Sequence, residues 1–429
     1  MVRLLAVLIV SCPSPTIAAV LKVGGPMQIT GTYASQSADA IAALQLWQAA
    51  VNSSSAGYEV ELDFRDCGDS VERAASIAKE MASNGSVHVL LPGYTSAVSK
   101  AVVNAVNGEL VPVMVWGGSA ENIFTQSSRA ANAFGFLTPD TQYMVTGLQA
   151  LYDKGARSAL MLRNSKAFSI ELCNATRTFA EGLGYSFIGE ASVADDGSNA
   201  ELVLSLLNTA DVLIGCNNAP DLEAIMAKLA GSTVRPSAIL ATAWTLSTFV
   251  ADMKSEGSGC MLDGFMTPVQ WEPVGTASDP VIKWTPTDFV EAFTAKVGKA
   301  PDFVPAAAAA VGVALSNAIS AAGGIGNPAA LVTALKDLDT DSFYGKLKFS
   351  SDGQMAGKGI YTKQYTNGGM NSSVVTPASV KEKDMAYPVT TWSGSQSCGS
   401  DTDTRIINHA AIATIAWPIS IVSALAIAF

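Results

Sequence analysis

Two short segments of this 429-residue chain carry residue types suited to holding a small polar molecule. Gly93-Tyr94-Thr95-Ser96 follows the apolar run Val87 to Leu91, and Gly117-Gly118-Ser119-Ala120 follows Val111 to Val115. In each, glycine permits close approach and hydroxyls both donate and accept. A helix starting just beyond offers free N–H groups and a partial positive charge to a carboxylate or amide oxygen. The same residues serve equally well as a plain N-cap and a turn. Tyr33 and Gln36 lie in the loop after the first strand, where they either roof such a pocket or form the exposed start of a helix. Asn217 follows the strand ending at Cys216, and Trp244 follows the one ending at Ala241; a tryptophan at such a spot packs in a core as readily as in a pocket.

Catalytic chemistry finds little support. The Gly-rich places match neither G-x-G-x-x-G nor G-x-x-x-x-G-K-[ST], and no G-x-S-x-G elbow occurs. Only His88 and His409 are available as imidazoles, and the six cysteines are scattered with no C-x-x-C pair, so neither a metal site nor a cofactor is expected. The expectation is a protein that is not an enzyme. Disulfides are the better use for the cysteines, with a bond expected among Cys173, Cys216 and Cys260. A formal charge of −11 argues against nucleic acid, which requires clustered Lys and Arg.

The elements that must position these residues alternate. Short β-rich runs (Leu21 to Val23, Val60 to Phe64, Val87 to Leu91, Val111 to Val115) are each followed by a helical pattern (Asp39 to Val51, Val71 to Met81, Ser96 to Val106). The nearly continuous apolar runs fit parallel strands covered on both faces. After Thr138-Pro139-Asp140 the rhythm restarts with strands at Ala159 to Leu162, Tyr185 to Ile188, Val212 to Gly215 and Ile239 to Ala241. Helices follow near Thr287 to Val297, Pro305 to Ala322 and Pro328 to Leu338, then a strand at Gly345 to Phe349 and a hairpin through Tyr361 to Tyr365. The fold class is α/β, with two doubly wound parallel-sheet lobes.

The ends differ from the body. Residues 1–19 have the basic, apolar and small-residue regions of a secretory signal, although Ile9-Val10-Ser11-Cys12 also reads as a short lipobox. Residues 381–405 are Ser/Thr/Gly-rich and read as a polar stalk; the apolar tail 406–429 would span roughly 35 Å as a helix. Small residues upstream and no basic flank fit a GPI-anchor signal, with a transmembrane helix as the alternative. Sequons at Asn52, Asn84, Asn174 and Asn371 are compatible with a secreted glycoprotein.

In order and spacing the body resembles the type I periplasmic-binding-protein-like family: leucine/isoleucine/valine- and amide-binding proteins and the ligand-binding regions of eukaryotic receptors. The matching segments include Gly25 to Gly31, Asp63 to Cys67, Leu91 to Ser96, Val111 to Val115, Phe136 to Asp140 and Gly345 to Gly353, and the similarity covers about Val20 to Tyr365. The resemblance implies three hinge crossovers, near Leu137, Phe265 to Pro268 and Tyr344 to Leu347. Lobe 1 would then comprise 20–137 plus 269–345, and lobe 2 would comprise 138–268 plus 346–380. It also implies ligand contacts from lobe 1 (Tyr94, Thr95, Ser96, Gly118, Ser119) and an aromatic contact from Phe168 in lobe 2. One departure concerns ligand class: amino-acid binders of the family commonly supply a lobe-two carboxylate for the ammonium, and Ala241-Thr242-Ala243-Trp244 has none. Either Asp221 or another acid substitutes, or the ligand is not a zwitterionic amino acid. The resulting expectation is an extracellular solute-binding protein, membrane-anchored at the cell surface, closing on a small polar ligand such as an amino acid or amide. Its partner would be a transporter or a receptor.

Overall fold

In β1 (Ala19–Met27) apolar side chains alternate with Lys22, so that Leu21 and Val23 are fully buried and the lysine points to solvent. Then come α1 (Ala34–Asn52), β2 (Tyr58–Asp66), α2 (Val71–Ser83), β3 (Val89–Leu90), α3 (Ser96–Ala105), β4 (Val113–Val115), the short α4 (Asn122–Thr125) and β5 (Ala133–Gly135). The first sheet is parallel throughout, in the order β2-β1-β3-β4-β5. The structure, a computed structural model, describes residues 19–165, 167–192, 205, 210–216, 225–226, 228–229, 236–242, 253, 255, 259–369 and 371–389.

The chain then builds α5 (Val145–Asp153), β6 (Ser158–Arg163), α6 (Ala167–Leu183), β7 (Ser186–Ser192), β8 (Val212–Gly215), β9 (Ala238–Ala241) and β10 (Met266–Val269). It returns to the first lobe for α7 (Pro286–Val297), α8 (Phe303–Ala322), α9 (Pro328–Lys336), β11 (Asp339–Thr340) and β12 (Leu347–Lys348). It ends with β13 (Tyr361–Thr366) and β14 (Asn371–Thr376). The second sheet runs β14-β13-β10-β9-β8-β6-β7, parallel from β10 to β7 and antiparallel at β13 and β14. In both sheets the order reverses beside the first strand of the lobe, at β1/β3 and at β6/β8. An open α/β sheet has its binding crevice at that point, beyond the carboxyl ends of the strands.

Sequence explains the local stops and starts. Ser70 caps α2 by accepting from the Arg73 N–H, and α7 carries a full capping box, Thr285 with Asp288, behind Pro286, with Gly298 closing it. Helix α8 is long and apolar enough to cross a membrane, yet it is buried from Val304 to Ile319 as the core helix of lobe one. It lies so close to α1 that a Cβ on Gly312 would come within 2.2 Å of the Trp47 ring, whose Nε1–H donates to Ser316 Oγ at 2.9 Å. Cys173 on α6 is bonded to Cys216 beyond β8, with Cα atoms 5.7 Å apart, which ties that helix to the lobe-two switch point. Cys67 is buried and free, and the Cys260 side chain, Cys12 and Cys398 lie outside the described residues.

Three chain segments cross between the lobes, and one polar cluster joins them. Gln270 Oε1 accepts from the Thr138 N–H at 2.9 Å, while its Nε2 donates to Thr138 O and to the Tyr143 hydroxyl, each at 2.9 Å. Lys358 donates to Gln270 O, and the Thr138 hydroxyl donates to Lys358 O at 3.4 Å. The crossings therefore sit at Leu137–Thr138, Gln270–Trp271 and Lys358–Ile360.

This places the last two crossings later than expected. Residues 266–269 form β10 inside the lobe-two sheet. Residues 346–357 belong to lobe one: Gly135 N–H donates to Gly353 O at 2.8 Å, Phe349 packs on Phe134 and Phe136, and Arg129 pairs with Asp352. The glycine, apolar and Asp-Gly pattern locates that segment, but only the apolar edge beside β5 decides which lobe it covers. The expected strand from Gly345 is reduced to β12, paired with β11 outside both large sheets. The stalk begins too early at residue 381: Ala386 exchanges two hydrogen bonds with the Gln364 amide, Val389 N–H donates to Ser237 O, and Met385 and Val389 are buried in lobe two. Two apolar anchors in a polar stretch suffice to dock it. The leader and the tail 406–429 lie outside the described residues, apart from Ala19.

Candidate functional site

The loops after β1, β3 and β4 meet at the lobe-one switch point. Tyr33, Tyr94 and Trp116 form a ladder of rings, with centroids 5.6 and 5.7 Å apart, and Trp116 Nε1–H donates to Pro92 O at 2.7 Å. The close approach needs glycine: a Cβ on Gly117 would lie 2.8 Å from the Tyr94 ring, and one on Gly118 would lie 2.7 Å from Ser99 Oγ. Thr95 has φ 97°, a conformation that costs a β-branched residue about 1–3 kcal/mol. Its hydroxyl caps α3 by accepting from Val98 N–H at 3.3 Å, and its own N–H donates to Gly117 O.

The hydroxyls expected to face a ligand divide into two roles. Ser96 Oγ accepts from Ser119 N–H at 3.3 Å and Ala120 N–H at 3.2 Å, so it clips the second loop to the first. Ser119 is buried and hydrogen-bonded to the Tyr143 hydroxyl, which also receives Gln270; its carbonyl accepts from Asp140 N–H at 3.1 Å. Thr95 and Ser96 thus hold the shape of the site, and Ser119 joins the lobe-one loop to the hinge. Burial pushes the Tyr143 hydroxyl up to about 12.

A carboxyl that sequence reading passed over adjoins the Ser119 loop. Asp140 is fully buried at the start of a single turn, Asp140–Gln142, that packs against α6. Oδ1 accepts from Thr141 N–H at 2.9 Å, while Oδ2 is buried without a hydrogen-bond partner among the described residues. Burial first, then the charges of Glu171 and Glu121, push it up to about 7 against the pull of the Thr141 and Glu121 N–H groups. Glu171, on α6, accepts from the Asn122 amide of lobe one at 3.2 Å, a direct bond between the lobes. Orphaned oxygens also occur in lobe one. Gln28 Oε1 is buried at the end of β1 against Gly93, and Gln36 Oε1 is buried on the first turn of α1. A buried polar atom without a partner calls for water or a ligand group.

A cavity of about 480 Å³ is walled by α1, the α7–α8 connection and the lobe-two strands β10 and β13. The remaining lobe-two candidates are less defined. Phe168 falls in the first turn of α6, beyond the carboxyl end of β6, and its side chain lies outside the described residues, as do Asn217, Asn218, Asp221 and Trp244 altogether. No group of three His, Cys, Asp or Glu side chains is placed to hold a metal among the described residues.

A family pattern described as "Periplasmic binding protein" matches residues 20–369. Among solved structures, a putative branched-chain amino acid ABC transporter protein from Silicibacter pomeroyi superposes with a TM-score of 0.74 at 17% identity, covering 86% of this chain and 99% of that one. A solute-binding protein from R. palustris in complex with benzoate gives 0.66 at 18%, covering 86% and 99%. A leucine binding protein from Thermotoga maritima gives 0.65 at 18%, covering 83% and 98%. No curated protein matches.

Proposed function

We propose that this chain, which belongs to the periplasmic binding protein family, is a non-catalytic receptor for a small amine-bearing solute, closing its two lobes over an amino acid or a close analogue. One observation carries the reading. The Asp140 carboxyl is buried with an unpartnered oxygen where the lobe-one loop meets lobe-two helix α6. An ammonium placed there would neutralise it, relieve its repulsion with Glu171 and supply the missing donors. This answers the absence of an acid after β9: the substitute acid sits on the first hinge crossing.

The named relatives span both kinds of ligand, branched-chain amino acids on one side and benzoate on the other. Benzoate carries no ammonium, and the buried Asp140 beside the half-buried Glu171 would repel its carboxylate. The acid therefore favours the amino-acid side. Lobe closure would follow from differential affinity for the closed state, with the Asn122–Glu171 bond among the contacts that hold it.

The leader composition and apolar tail extend the proposal to a secreted protein tethered at the cell surface, delivering its ligand to a transporter or signalling partner. Release from cells by a phospholipase specific for GPI anchors supports the tether, and resistance favours a spanning helix. Calorimetric titration with amino acids, primary amides, urea and benzoate tests the ligand class. Binding of amino acids with loss in Asp140→Asn is expected; benzoate or urea as the preferred ligand contradicts it.

A further inference from the structure

One residue of the third crossing touches both of the others. Lys358 Nζ donates to Gln270 O on the second crossing, and Lys358 O accepts from the Thr138 hydroxyl on the first at 3.4 Å. Tyrosine rings enclose the ammonium: its nitrogen lies 4.4 Å from the centroid of Tyr344 and 5.6 Å from that of Tyr361. Tyr344 is itself fixed, fully buried with its hydroxyl donating to Phe136 O at 3.1 Å. Gly345 leaves room for the lysine stem, since a Cβ there would come within 3.1 Å of Lys358 Cδ.

No carboxylate pairs with Lys358 among the described residues. The charged groups on the neighbouring segments are matched elsewhere. On the second crossing Glu272 is paired with Lys363 at 2.5 Å; on the third, Lys346, whose carbonyl lies against Gly357, is paired with Asp339 at 2.6 Å. Tyr143, Tyr344 and Tyr361 are all raised by burial and keep their protons near neutrality. Burial lowers Lys358 to about 7. Asp140, on the first crossing, also titrates near 7, but its charge reaches Tyr143, whereas burial alone acts on Lys358.

The ammonium and the neutral amine hold the hinge differently. Charged, Lys358 makes a charge-assisted bond to Gln270 O and is drawn to both ring faces; neutral, it keeps an ordinary hydrogen bond at most and loses the attraction of the rings. Gln270 is also where the hinge meets the site, because its amide donates to the Tyr143 hydroxyl, to which Ser119 is bonded. We infer that Lys358 is a proton-operated lock on the hinge: its ammonium fastens the third crossing to the second, and its neutral form releases them, so that pH sets how freely the lobes move over a solute. Only that consequence for the site rests on the function proposed above; the lock itself is read without a ligand.

Small-angle scattering of the purified, ligand-free protein at about pH 6 and about pH 8, on either side of the lysine's value, tests the lock. The wild-type radius of gyration is expected to be larger at the higher pH, as the released hinge samples wider openings. Lys358→Met has no charge to lose and should show the larger radius at both values. Lys358→Arg is charged at both and should show the smaller one at both. Asp140 is intact in both variants, so a pH dependence that persists in them belongs to the acid and overturns the lock, as does a wild-type radius that does not change. Wild-type protein with carbon-13 at its lysine ε-carbons gives a readout that needs no variant. One signal titrating near 7 is expected, and every signal titrating near the ordinary lysine value of about 10.4 overturns the inference. Either failure leaves the amino-acid reading standing, since that reading fails on its own test, the titration with amino acids.

Discussion

The two lobes wind their sheets alike, β2-β1-β3-β4-β5 in one and β7-β6-β8-β9-β10 in the other, but they bring different chemistry to the cleft. Lobe one turns its polar groups onto one another: the Thr95 hydroxyl caps α3, Ser96 clips the Ser119 loop, and Trp116 holds Pro92. The lobe junction instead gathers carboxyls with no counter-ion among the described residues, Asp140 beside Glu171. The first arrangement is closed on itself at the Thr95, Ser96 and Trp116 groups, leaving Gln28 Oε1 and Gln36 Oε1 unpartnered, and supplies fixed geometry. The second carries an electrostatic cost that a cation would remove, and under the proposed function it would supply selectivity and a driving force for closure. A pre-organised platform facing an unsatisfied acid is how a binding site can be rigid and still respond to its ligand.

The largest effect should come from breaking the acid side. Asp140→Asn keeps the shape and removes the charge, and amino-acid affinity should fall by about 100-fold, a loss of about 3 kcal/mol in line with removing one partner of a buried charged pair. Its stability effect has the opposite sign. The carboxyl is raised from 3.8 to about 7, so the folded state holds its proton more tightly than the unfolded chain. Ionising it on the buried side destabilises the fold progressively from pH 3.8 up to about 7, with the full cost present above that. Asp140→Asn should therefore be more stable than wild type by about 2–4 kcal/mol at pH 8 and nearly equal to it at pH 4, read by urea unfolding. Equal stability at both pH values would mean that the acid carries no such cost.

Breaking the platform should matter less. Ser96→Ala leaves the Ser119 and Ala120 N–H groups without their acceptor, and about 1–2 kcal/mol of stability should go with it. Amino-acid affinity should fall about tenfold as Ser119 loosens. A loss as large as that of Asp140→Asn would erase the distinction between platform and acid. The smallest effect is at Thr95. With φ at 97°, Thr95→Gly should be more stable than Thr95→Ala by about 1 kcal/mol, because alanine loses the cap and keeps the strain while glycine loses the cap and relieves it. The reverse order would place the strain elsewhere.

Much of the fold was legible in the sequence because it depends on local pattern. Val212 to Gly215 reads as a buried strand and is one, and a loop after a parallel strand with Gly, Ser and Thr reads as a crevice loop wherever it occurs. The start of α1 at Ala34 was not legible, since Tyr33 offers no side-chain cap. Nor was β5, whose three residues Ala133–Gly135 become a strand only by pairing with β4. The acid was hidden for a tertiary reason. Asp140 reads as a punctuation mark between lobes until the crossover tucks it under the Ser119 loop and against α6.

Small-angle X-ray scattering of the purified protein, with and without a millimolar mixture of the common amino acids, tests the central claim most directly. The account predicts that the wild-type radius of gyration contracts on addition and that Asp140→Asn at the same concentrations does not contract. A wild-type protein whose radius is unchanged by the mixture would contradict it.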